Sequence, residues 1–221
     1  LRWDGKAHNY YEVWYITLNH AESKTGFLIR YTLASPQQGN GEPYAGLWFA
    51  FFDANDPSNN FGVQKNFSID TLHTQKDPFA VGVSDNLLTH DSCRGILEGG
   101  GKSAHWDLAW LPSKEAYYHL PEAMYREGAL NELVMLSPNP SIPIRGLIIA
   151  NDRRIELEEQ PGCQVHLWGR KNAHAWAWGQ CSSFPGHEDC SLEAVTLRFK
   201  RNGFVLPPIT VLTFRLGGEE F

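Results

Sequence analysis

Gly162-Cys163-Gln164-Val165-His166-Leu167-Trp168-Gly169, then Arg170 to Asn172, then Ala173-His174-Ala175-Trp176-Ala177-Trp178-Gly179-Gln180-Cys181 is the stretch from which the fold is read. Side chains along a β-strand alternate between faces. A strand over the second half therefore turns His174, Trp176, Trp178 and Gln180 one way and Ala173, Ala175, Ala177 and Gly179 the other. One face is large, aromatic and hydrogen-bonding; the other is nearly bare. Two indoles, an imidazole and an amide converging on one side have the composition of a ligand wall. The same spacing fits a core strand whose tryptophans fill a barrel.

The flanking segments carry the same β signature. Tyr10 to Leu18 is dense in aromatic and β-branched residues without a helical stripe, and a turn over Ala21 to Gly26 leads into Phe27 to Leu33 as its hairpin partner. Proline and glycine between Pro36 and Pro43 break the run. Ala45 to Asp53 is apolar almost throughout, as in a strand covered on both faces. Short strands follow near Phe61 to Ile69 and Phe79 to Val83, then His90 to Leu97 and Ser103 to Ala109 around Glu98-Gly99-Gly100-Gly101-Lys102. Gly101-Lys102-Ser103 invites comparison with a phosphate loop. That motif requires Gly at position 96, where Ile stands, so the spacing predicts a hairpin with glycines at positive φ.

Between Leu111 and Pro143 the prolines and the loss of alternation predict a connector or lid, with short helical turns over Glu115 to Leu120 and Glu122 to Leu133. Ile144 to Leu157 reads as strand, turn, strand, and Leu192 to Phe199 and Ile209 to Leu216 as strands around an Asn202-Gly203 turn. The expected class is all-β, with residues 1–141 forming one unit that ends in the connector and 142–221 starting a second, incomplete unit.

The 221 residues suffice for one large or two small β domains. A net charge of -6 without a basic run argues against a general nucleic-acid or anionic-membrane binder. No apolar run reaches the length of a membrane span, so stable membrane insertion is not expected. Cys93, Cys163, Cys181 and Cys190 lack the regular close spacing of a disulfide framework, which points to a cytoplasmic setting.

Tyr11-Glu12-Val13-Trp14-Tyr15, paired with Phe27 to Leu33 and Leu47 to Asp53, resembles the first sheet of the calycin-like proteins. These include AttH-like proteins, carotenoid hydratases of the hydroxyneurosporene synthase type and tocopherol cyclase. His105-Trp106-Asp107-Leu108 is similar to their strand ending in Trp-Asp-Leu, and His166, Trp168-Gly169 and Trp176-x-Trp178-x-Gln180-Cys181 resemble their shared signature. The resemblance implies two lipocalin-like β units with a hydrophobic cavity in or between them for an isoprenoid or other lipidic ligand. Some relatives protonate a double bond and steer the cation to hydration or ring closure, others form rings pericyclically, and others only bind lipids. Hydratase-like members carry an acid before the Trp-Gly, where this chain has Val165-His166.

Proton-driven alkene chemistry needs an acid in a dry site and aromatic faces that stabilise a developing cation. His174 and His166 are the candidate catalytic groups, with the carboxyls Glu12, Asp53 and Asp107 as further acids. Trp168, Trp176, Trp178 and Trp14 are the candidate walls, and Gln180 a hydrogen bonder for the ligand. Glu12 shares a strand face with Tyr10 and Trp14, Asp53 also reads as a turn residue, and His105 with Asp107 as a solvated face. The spacing of His166, His174, Cys181, His187 and Cys190 matches no zinc pattern, so no metal and no cofactor are expected. The activity implied is a cofactor-free hydratase or cyclase, a lyase or isomerase; the alternative is a non-catalytic hydrophobic-ligand carrier. Open strand edges in a short second unit predict a homodimer or a further C-terminal segment.

Overall fold

The computed structural model describes residues 2–120, 125, 133–170, 173–187, 190–200 and 203–216, and the backbone of 201 and 219–220. Its strands are β1 (Tyr10–His20), β2 (Thr25–Ser35), β3 (Tyr44–Asp53), β4 (Phe61–Ser68), β5 (Leu72–Gln75), β6 (Ala80–Val83), β7 (Asn86–Thr89), β8 (Ser92–Gly99) and β9 (Lys102–Trp110). The remainder are β10 (Tyr117–Tyr118), β11 (Leu133–Ala150), β12 (Arg153–Gly169), β13 (Ala175–Cys181), β14 (Ser191–Arg198), β15 (Lys200–Arg201), β16 (Phe204–Val205), β17 (Ile209–Leu216) and β18 (Glu219–Glu220). The class is all-β, as the alternation predicts.

One antiparallel sheet runs β4-β3-β2-β1-β12-β11-β9-β8-β7-β6-β5, with β10 added on β11. Strand β4 lies against β8 and β9, so the sheet curls into a nearly closed barrel. Its interior is filled by side chains, with Trp14, Tyr31, Phe49, Phe51, Trp106 and Leu108 fully buried in one cluster. Phe49 stacks on Trp106 with ring centroids 5.7 Å apart. The rings of β3 and β9 thus fill the barrel interior, one of the two places in which the family resemblance implies a cavity. A four-stranded sheet, β13-β14-β17-β18, packs Trp178 against the outer faces of β1 and β12, and β15-β16 forms a separate hairpin.

The chain passes from the large sheet to the small one after Gly169, and the boundary expected at 141/142 falls inside β11. Pro138, Pro140 and Pro143 do not interrupt the strand as expected. It absorbs them through register shifts between Leu136 and Asn139, Asn139 and Ile142, and Ile144 and Gly146. Of the predicted helical turns, Glu115 to Leu120 contains the short strand β10, paired with Leu136 and Ser137. Most of Glu122 to Leu133 lies outside the described residues. Gly203, at φ +85°, turns between β15 and β16, so the last strands β14 and β17 are joined through that hairpin instead of directly; Asn202 is outside the described residues.

The β8–β9 turn has the predicted positive φ at Gly100 (59°) and Gly101 (73°). Gly95, beside the rejected phosphate motif, has a packing role: it pairs with Trp106, and a Cβ there would meet the Asn86 side-chain oxygen and come within 2.6 Å of the Trp106 ring. That oxygen already accepts the Ile96 N–H at 2.7 Å. Gly95→Ala is expected to lower unfolding free energy by about 1–3 kcal/mol through overpacking, read from the urea midpoint; an unchanged midpoint would mean that the indole moves freely.

Candidate functional site

Strands β1 and β12 pair antiparallel with Trp14 opposite His166 and Glu12 opposite Trp168, so all four side chains share the barrel's inner face. Glu12 and His166 are diagonal neighbours across this ladder, within reach for long side chains. His166 Nε2 lies 2.9 Å from Glu12 Oε1. The imidazole stacks on Trp14 at 5.1 Å and 11°, and meets Trp168 at 4.6 Å and 36°. The Arg2 guanidinium lies over the Trp168 ring, 4.1 Å from its centre.

Glu12 is wholly buried. It is compensated by hydrogen bonds: the Arg2 N–H donates to both oxygens at 3.1 and 2.8 Å, and the Trp3 N–H donates at 3.3 Å. Burial alone raises a carboxyl's pKa, but here the His166 hydrogen bond, its charge and the Arg2 amide outweigh it and hold Glu12 below the usual value. Burial likewise lowers His166, and Glu12 only partly offsets this. The resting pair is therefore a carboxylate accepting from a neutral imidazole protonated at Nε2. The side chain of His166 keeps 14% exposure, whereas Glu12 is sealed. Two further donors share this face: the buried Trp14 indole N–H meets no acceptor among the described residues, and burial with the charge of Glu12 keeps the Tyr10 phenol protonated.

The other expected residues lie elsewhere. Trp178 donates its indole N–H to Glu193 at 3.1 Å and packs edge-on against Tyr15 between the two sheets. Gln180 bonds Ser182. His174 is exposed, its backbone N–H bound to the Arg198 carbonyl at 2.7 Å, and Trp176 is 69% exposed. Trp176 lies on the same face of β13 as Trp178, but the strand meets the barrel only from Trp178 onward, so Trp176 is left in solvent. Asp53 ends β3, where hydrogen bonds from Asn59 and Arg153 lower it to about 2. His105 and Asp107 are exposed and line an open surface depression of about 310 Å³ with Asp85, Arg94 and Ile96.

A second histidine–glutamate pair has almost no signature in the sequence. His119 Nε2 lies 2.8 Å from Glu193 Oε1, and Ser137 Oγ donates to both Glu193 oxygens at 3.2 and 3.1 Å. His119 Nδ1 faces the Met135 carbonyl at 3.1 Å, and Tyr117 bonds Thr213 alongside. Burial raises Glu193, but the donors, His119 foremost, bring it below the usual value. This cluster ties the small sheet to the barrel. Its one legible signal is a glutamate on the Ser191-Glu193-Val195 face of β14; nothing local pairs it with His119, 74 residues away. No group of three or more His, Cys, Asp or Glu suited to a metal occurs among the described residues, nor any helix long and apolar enough to cross a membrane.

The fold is a nearly closed β barrel with a second sheet docked on its wall. It is shared with an AttH-like protein from Nitrosomonas europaea (TM-score 0.62, 17% identity, covering 100% of this chain and 71% of that one). It is also shared with kievitone hydratase from Nectria haematococca (TM-score 0.54, 12% identity, 95% and 63% covered). In sequence the chain is 25% identical over 224 residues to uncharacterized proteins of two Mycobacterium tuberculosis strains, CDC 1551 / Oshkosh and ATCC 25618 / H37Rv. It is covered completely and spans 63% of their length. No family model matches.

Acid should destabilise the protein through these groups. His166 is lowered from 6.5, so the unfolded chain binds its proton first, and stability falls as pH drops below about 6.5 toward the folded value. Glu12 and Glu193 are lowered from 4.5, so their contribution is present above that pH and is lost below it as pH falls through their folded values. Melting temperature is expected to decline from neutral pH in these two windows; a flat profile in differential scanning calorimetry would contradict the buried pairs.

Proposed function

We propose that the chain is a cofactor-independent hydratase acting on a double bond in an isoprenoid-like or other hydrophobic molecule, with His166 transferring the proton and Glu12 orienting it. The observation that carries this reading is the 2.9 Å bond between the sealed Glu12 and the partly accessible His166, flanked by the Trp14 and Trp168 rings. The fold likeness to kievitone hydratase supports the reaction class.

A carboxylate that only accepts fixes the Nε2–H tautomer and leaves Nδ1 as the basic nitrogen. His166 held below its usual range starts as a base, which suits a double bond polarised by a conjugated carbonyl. Nδ1 takes a proton from water while the water oxygen bonds to the β-carbon. The imidazolium, stabilised by Glu12 and the two indole faces, then returns that proton to the α-carbon, so that one water is added in total. Protonation-first chemistry, the order that the family resemblance implies, fits a neutral histidine less well. His174 and Trp176, exposed on the approach to β13 and on the strand itself, have no part in this step.

The test is product analysis and tryptophan-fluorescence titration with prenyl chains, carotenoid precursors, fatty acids and hydrophobic enones. Glu12→Gln and His166→Gln are expected to lower kcat by about 10²–10⁴ while affinity changes little, and His174→Ala to leave both unchanged. Saturable binding without turnover would make the chain a carrier and remove the catalytic reading. In the active protein kcat/KM should fall on the acid side below pH 6.5 as His166 becomes protonated, the direction of its shift setting the limb below that value; a profile that rises on acidification would assign His166 the acid's role instead.

A further inference from the structure

At the end of the small sheet where β13 begins, apolar side chains and cations stand together in solvent. Trp176 and Ile209 both pair with Leu197, on β14 between them, and they are 69% and 57% exposed. From the same end β14 continues into the β15–β16 hairpin, whose return strand starts at Phe204, 76% exposed, followed by exposed Val205 and Leu206. The Leu206 N–H bonds the Phe199 carbonyl at 2.9 Å, so the apolar tip is held in a defined hairpin. Exposed Arg198 and Lys200 stand at its base, and the sequence from Arg198 to Ile209 contains three cationic residues and no acidic one. His174 and Arg170, also exposed, lie on the connection leading into this end of β13, and Lys171 adds a further cation in sequence.

An exposed phenylalanine at a hairpin tip, an exposed indole and aliphatic neighbours, with Arg198 and Lys200 at the hairpin's base in a chain of net charge -6, make a local inversion of the molecule's character. Indoles favour the headgroup boundary of a bilayer, apolar tips favour the acyl region beneath it, and lysine and arginine favour anionic headgroups. We propose that this end of the small sheet docks the protein onto an anionic lipid surface, with Phe204 and Trp176 entering the interface and Arg198 and Lys200 contacting the headgroups. The proposal goes beyond the acid–base reading and stands without it. It is peripheral docking by a hairpin, so the whole-chain charge that argues against a general anionic-membrane binder does not decide it.

The experiment is co-sedimentation of the full chain with vesicles of phosphatidylcholine alone and of equal parts phosphatidylcholine and phosphatidylglycerol. Binding is expected to the anionic vesicles, to weaken strongly at about 0.5 M salt, and to be at least about tenfold lower in Arg198→Glu/Lys200→Glu. Phe204→Ser is expected to lower it by about tenfold or more through lost apolar burial. Both variants keep Glu12, His166 and their neighbours, so circular dichroism and any turnover of a detergent-dispersed substrate should be unchanged. Absence of binding to anionic vesicles, or binding that neither variant alters, would overturn the proposal. So would light scattering that shows a dimer dissociated by Phe204→Ser, which would assign the patch to a second copy of the chain.

Discussion

The pairing of β1 with β12 is the constraint on which the structure depends. Strands far apart in sequence lie side by side from Tyr11 opposite Gly169 to Leu18 opposite Gly162. This ladder joins the β1–β4 half of the barrel to the half containing β11, β9 and β8. Because residues directly across an antiparallel ladder share a face, the same register puts Glu12, Trp14, His166 and Trp168 together inside, and Val13, Tyr15, Cys163 and Val165 together outside. A slip of one residue would exchange the two sets.

Two buried carboxylates mark the two faces of that wall. Glu12 sits on the inner face and Glu193 on the sheet docked outside, each with a histidine and additional donors. A buried carboxylate is tolerated only when its oxygens are satisfied, and the two meet that requirement differently. Glu12 draws on backbone amides of residues 2 and 3 beside a ring-stacked histidine that stays partly accessible. Glu193 draws on three side chains from the barrel and its own sheet and is closed off, which gives it the character of a structural tie.

The sequence is most legible where a strand alternates between a crowded and a bare face. Glu12, Trp14, His166 and Trp168 stand out on their own strands and come together as one group. His174 and Trp176 stand out by the same reasoning, yet both are exposed: His174 precedes β13, and Trp176 shares Trp178's face but lies before the point where the strand meets the barrel. Trp106 and Phe49 show the complementary limit: rings suited to a ligand wall stack on each other and fill the barrel instead. The proline-bearing start of β11 has no strand signature because its bulges remove the period-two signal while leaving the strand paired.

By itself the sequence determined the all-β class, the principal strands, the glycine turn at Gly100-Gly101 and which residue types face the same way along each strand, because these follow from local backbone preference and a period of two. Only the tertiary structure decided which strands distant in sequence became neighbours, where the large sheet ends and the small one begins, and that Glu12 meets His166 while His119 meets Glu193. Those outcomes depend on contacts between positions 154 and 74 residues apart, and no local pattern encodes the register that joins them.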